Sequence, residues 1–110
     1  DALLVSTGWE RNWNNEGFVS DSPHFTKEAM DWIVSKDISI LGSDLPHFDD
    51  PKPKGKQGTV KNLLQNGIYI LAPLVNLGKI KANRVKLMAF PPRIKGVCAF
   101  PCRAVAIEGS

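Results

Sequence analysis

Apolar residues along the chain change their spacing several times, and each change marks an element. The first seven residues, DALLVST, are apolar enough to predict a buried strand, which Gly8 and then Trp9 break. From Glu10 to Pro23 the chain is rich in Asn, Asp and Ser with no period, and reads as a loop or lid. Thr26 then caps a predicted helix over KEAMDWIVSKD, in which Ala29, Met30, Ile33 and Val34 share one face. Ile38 to Leu41 is the next predicted strand, closed by Gly42-Ser43-Asp44, and Pro46 to Gly58 is a loop. A second helix is predicted from Thr59 as cap, with Val60, Leu63 and Leu64 on its buried side and Asn66-Gly67 as its stop. The strand Ile68 to Leu71, a turn at Asn76-Leu77-Gly78, and the strands Val85 to Phe90 and Cys102 to Ile107 complete the chain. The Pro91-Pro92 break separates the last two strands.

The order β-α-β-α-β-β-β predicts an α/β fold, a mixed sheet with two main helices, in a single unit spanning residues 1–110. The end strands, ALLV and AVAI, are apolar without alternation, which predicts burial on both faces. Two helices cannot cover both faces of a five-stranded sheet. The pattern therefore predicts a partner surface, supplied by a second copy or by a different chain.

Composition narrows the class further. Apolar residues make up 43% and charged residues 23% of the 110 positions, an ordinary globular balance that predicts one domain with a modest core. No apolar run approaches a membrane span, and the start DALLVSTGW lacks the basic start and cleavage site of a signal peptide. A soluble chain is expected, with its compartment left open. The net charge of +3 and pI near 9.0 are spread along the chain except at Lys52, Lys54 and Lys56, which read as a solvated Pro/Gly loop rather than a nucleic-acid surface. Cys98 and Cys102 form a C-x3-C pair with too few neighbouring ligands for a closed zinc site. They are expected to be free and largely buried, with a local disulfide as the alternative.

Candidate chemistry is sparse. No G-x-S-x-G or Cys-His pairing occurs, and GKQGT lacks the spacing of a phosphate-binding loop. The best polar cluster is His47 with Asp44, Asp49 and Asp50 in GSDLPHFDD; it reads first as a solvated acidic loop with Asp44 as a cap, and second as a substrate-contact or relocated metal cluster. His24, after Ser-Pro, reads as a helix-flanking surface histidine.

The succession DALLVSTGW, KEAMDWIVSKDISILGSDLPHFD, NLLQNGIYILAPLVNL, KLMAFPPRIKG and FPCRAVAI resembles the C-terminal half of the cyclase family. That family contains bacterial kynurenine formamidase and isatin hydrolase, metal-dependent hydrolases with a swivelling β/β/α fold. The resemblance implies zinc or manganese held mainly by an H-x-G-T-H-x-D-type motif upstream, which the chain does not contain. No cofactor is therefore expected from this chain itself, and zinc or manganese only together with an upstream half of the family fold. The family also uses a histidine on the second helix and a glutamate at the end of the next strand. NLLQNGIYILAPLVNL aligned on that pattern places Val60 and Ala72 at those positions, and neither side chain can donate to a metal. The resemblance further implies that Trp9, Trp13 and Phe18 line a flat aromatic pocket, bordered by Asp44 and His47, for an aromatic small molecule. The alternative for Trp9 is a plug at the end of the sheet. A degenerate scaffold, as a homo-oligomer or with a chain carrying the N-terminal half, is the expectation; the alternative is one chain of a metal-dependent amide hydrolase.

Overall fold

The computed structural model describes residues 1–50 and 58–109, so the cluster Lys52, Lys54 and Lys56 lies outside the described residues. It divides into two compact units, Asp1–Gly78 and Lys79–Ser110. The elements are β1 (Ala2–Val5), α1 (Lys27–Val34), β2 (Ile40–Ser43), α2 (Thr59–Gln65), β3 (Tyr69–Leu71), β4 (Lys86–Phe90) and β5 (Arg103–Ile107). The α/β class and the predicted order of elements hold.

The first unit is a parallel sheet in the order β1-β2-β3. Each crossover runs through one helix. Two right-handed crossovers advancing in the same direction put both helices on one face of the sheet. The register shows which residues face them: Leu3, Leu41 and Ile70 form one row across the three strands. All three belong to or pack on the core of Met30, Ile33, Leu41, Leu45, Phe48, Leu63 and Ile68. The next row, Leu4, Gly42 and Leu71, therefore lies on the opposite face. There a Cβ on Gly42 would stand 2.6 Å from Leu4 Cδ2 and 3.0 Å from Leu74 Cδ1, so the absent side chain lets these leucines close over the middle strand.

Helix α1 begins where expected, because the Thr26 hydroxyl accepts from the Ala29 N–H at 3.1 Å. Met30 and Ile33 are buried, Val34 packs on the core, and Phe25 meets Phe48 edge-on at 5.1 Å. Helix α2 departs from expectation. Its N-cap is Gly58, at φ 72, rather than Thr59, which is already helical and buried. Leu63 is fully buried, but Val60 and Leu64 are exposed. Short helices bury a narrow stripe, and here the stripe runs through Thr59 and Leu63, four residues apart.

Three further expectations are corrected. β2 starts two residues later than the apolar run suggested and includes Gly42 and Ser43, because β1 pairs as far as Val5 with Ser43. The five strands form two sheets, since β4 and β5 pair only with each other, antiparallel, in the second unit. The end strands are not buried on both faces: β1 is half-buried and β5 is largely exposed. In the second unit the Glu108 carboxylate accepts from the Lys81 and Ala82 N–H groups, which fixes the chain ends of the hairpin together. Cys98 is exposed and Cys102 half-buried, both free, because the connection carrying them has no apolar layer of its own.

Candidate functional site

Three parallel strands end on the same side, and the loops that leave them gather there. Thr7 to Asn12 follows β1, Asp44 follows β2, and Ala72 follows β3. α2 runs back against the strands, so its first turn, with Val60, belongs to this same carboxyl end. In open parallel sheets this end is where ligands bind.

Asp44 organises the end. It is fully buried, yet its Oδ1 accepts from the Thr7 hydroxyl at 2.8 Å and the Thr7 N–H at 3.1 Å, and its Oδ2 accepts from the Glu10 N–H at 3.3 Å. Ser43 Oγ stands 3.5 Å from Oδ1 and itself accepts from the Leu45 N–H at 3.3 Å. Burial by itself opposes ionisation. The Thr7 hydroxyl, then the N–H groups of Thr7, Glu10 and Asp44 itself, outweigh it and hold the carboxyl below its ordinary value of 3.8. The Thr7 hydroxyl also accepts from the Trp9 N–H at 3.1 Å, so a turn with Gly8 at φ 82 is folded around one carboxylate. Both oxygens thus accept from neighbouring donors of the chain itself.

A second brace joins the third loop. Glu10 accepts from the Asn76 N–H, and the Leu74 N–H donates to the Ser43 carbonyl at 2.8 Å. Nothing in the pattern of the sequence marked Thr7 or Glu10 as partners of Asp44. The only available signal was the turn itself, a small hydroxyl residue before a glycine.

The structure brings Trp9, Trp13 and Phe18 together. Trp9 stacks on Phe18 with ring centroids 6.3 Å apart, and its indole N–H donates to the Phe18 carbonyl at 2.9 Å. Trp13 meets Phe18 edge-on at 5.2 Å and is 55% exposed. Trp9 packs against the core, Phe18 is buried, and Trp13 offers the open surface. His47 is exposed and takes no part in the bonds that Asp44 accepts. His24 is likewise exposed, with Nε2 3.8 Å from Asp50. Val60 and Ala72 are both exposed. Among the described residues no three His, Cys, Asp or Glu side chains stand together as a metal-binding group, and no helix is long and apolar enough to cross a membrane.

Residues 1–50 match the family model described as putative cyclase. This segment holds β1, the aromatic loop, α1, β2 and Asp44. Over 101 residues the chain is 28% identical to the kynurenine formamidase of Erythrobacter litoralis (strain HTCC2594), a match covering 89% of the chain and 46% of that relative. The chain thus spans about half the length of the curated relative it matches. The chain is thus similar to the cyclase family over residues 1–50, the segment that holds Asp44, and to a kynurenine formamidase over most of its length.

Proposed function

We propose that this chain is a catalytically degenerate member of the cyclase family, acting as a binding or structural scaffold together with a partner chain or a second copy of itself. The observation that carries the reading is the chemistry at the carboxyl end of the sheet. Val60 in the first turn of α2 and Ala72 after β3 occupy the two places where the resemblance puts metal ligands, and a divalent cation takes nothing from a methyl group. The Asp44 carboxylate, in the same set of loops, accepts from Thr7 and Glu10. Trp13, next along the chain from the first of these loops, offers an exposed aromatic surface that suits a planar small molecule.

A second reading is favoured by one observation, the 46% coverage of the kynurenine formamidase. In that reading the metal-binding half of the fold is a separate chain, and the two together hydrolyse an N-formyl or cyclic amide with zinc or manganese. Native mass spectrometry of the purified protein, reading subunit masses and bound metal together, separates the two. A metal-free assembly is expected. A distinct second chain with about one divalent ion per complex would transfer the case to the hydrolase. The paired substitution Val60→His and Ala72→Glu tests the alignment directly. Both positions are exposed, so the fold should tolerate the change within about 0.5 kcal/mol. Isothermal titration with zinc should then show binding that the unmodified protein lacks, and a folded double variant with no gain would remove Val60 and Ala72 as former ligand positions.

A further inference from the structure

Asn66-Gly67, where α2 gives way to β3, is the chain's single Asn-Gly step. Such steps are prone to succinimide formation, because glycine has no side chain to block its nitrogen or restrict its rotation. Both residues are exposed, and a Cβ on Gly67 would meet nothing within 4 Å. The two reacting groups are nevertheless engaged. The Asn66 carboxamide Nδ2 donates to the Asn62 carbonyl at 2.8 Å and to Asn62 Oδ1 at 3.1 Å. The Gly67 N–H donates to the Leu64 carbonyl at 3.1 Å, and the Ile68 N–H to the Leu63 carbonyl at 2.9 Å. Asn66 itself sits just outside the helical region, at φ −95 and ψ 14, with its side chain drawn back along the helix.

We propose that Asn66-Gly67 is a deamidation site gated by the last turn of α2, and that its conversion to isoaspartate releases β3 from the parallel sheet. When the turn frays, the Gly67 nitrogen gives up its proton to a solvent base and bonds to Cγ of Asn66. The Cγ–Nδ2 bond breaks and the nitrogen leaves, reprotonated, as ammonia. Water then opens the imide ring at one carbonyl or the other, giving aspartate or isoaspartate, with no oxidation or reduction.

The isoaspartate product routes the backbone through the side chain and lengthens it by one methylene. There is little slack to absorb it. On one side the Asn66 N–H is bonded to the Asn62 and Leu63 carbonyls; on the other Ile68 is buried and the Tyr69 N–H donates to the Ser39 carbonyl at 2.8 Å. Only Gly67 lies between. The new carboxylate also stands at the negative end of α2, whose last turn has no basic residue. The junction is thus a slow, irreversible timer that reads how often α2 frays, and it stands independently of the scaffold or hydrolase reading.

The experiment ages the intact protein in mildly alkaline buffer beside a synthetic peptide of residues 62–70, following deamidation at Asn66 by peptide mapping. Because the hydrogen bonds of the Asn66 carboxamide and of the Gly67 N–H must open first, the folded protein should react about tenfold more slowly than the peptide. Asn62→Ala should narrow that gap. Hydrogen exchange on the aged fraction should show lost protection across Tyr69–Leu71 in the isoaspartate form and retained protection in Asn66→Asp, which has the same charge on a normal backbone. Equal rates in protein and peptide would overturn the gating, and an isoaspartate form with β3 still protected would overturn the release. If Asn62→Ala does not fold, the peptide comparison and the Asn66→Asp control still decide both points.

Discussion

Replacing Asp44 by alanine should unfasten the carboxyl end of the sheet. The substitution deletes a fully buried carboxylate and leaves the Thr7 N–H, the Thr7 hydroxyl and the Glu10 N–H without their acceptor. Hydrogen bonds to a charged group contribute about 1.5–3 kcal/mol each, but Thr7 is exposed enough for water to take over part of its share. The net cost should be about 3 kcal/mol, and Asp44→Asn, which keeps one acceptor oxygen, should cost about half of that. Urea denaturation followed by tryptophan fluorescence measures the loss, since Trp9 is tied to this turn through Thr7. The pH dependence gives a sharper check. The folded carboxyl is held below its ordinary value of 3.8, so its contribution is fully present above that value and disappears as the pH falls through the lower folded value. Wild type and Asp44→Ala should therefore converge in stability under acid. A difference below about 0.5 kcal/mol at neutral pH, or one that persists unchanged in strong acid, would refute the account of Asp44 as an ionised tether.

The face of α2 can be tested by a pair of adjacent substitutions: Leu63→Ala should cost about 2–5 kcal/mol in thermal or urea unfolding, whereas Leu64→Ala should stay within about 0.5 kcal/mol. Gly42→Val should destabilise the first unit by about 1–3 kcal/mol, because Leu4 and Leu74 already occupy the space its side chain needs; an unchanged melting temperature would mean those leucines move aside freely. Thr26→Ala should cost about 1 kcal/mol through loss of the cap on α1, with circular dichroism at the melting midpoint as the readout and Thr26→Ser as the near-neutral control.

Much of the fold was legible because helices and strands leave periodic traces. The spacing of Met30, Ile33 and Val34 identified the inner face of α1, and Thr26 its start, since both signals are local. α2 was misread for a physical reason: in a seven-residue helix Val60, Leu63 and Leu64 can all be drawn on one side, and only the crossing angle against the sheet selects Leu63. The division into two sheets was not legible either, because no local pattern distinguishes a strand that joins β3 from one that pairs only with its neighbour in sequence. At the candidate site, the aromatic residues and Asp44 could be singled out by residue type, but the bonds from Thr7 and Glu10 join positions more than thirty residues apart and depend on the turn at Gly8. Sequence reasoning marks which groups can act. Which of them are already spoken for is a matter of tertiary structure.

The all-parallel pairing of the first unit also bears on how the chain finds its structure. Ala2 pairs with Ile40, and Ile40 with Tyr69, each across a helical crossover, so neither ladder of this sheet can zip up from a local turn. The hairpin of β4 and β5 and the turns of α1 and α2 can close early, while β1 and β2 wait with uncharged edges open to other molecules. The topology that gathers three loops at one end thus makes closure slow, and it exposes ALLV and ILGS to aggregation for as long as β3 has not arrived.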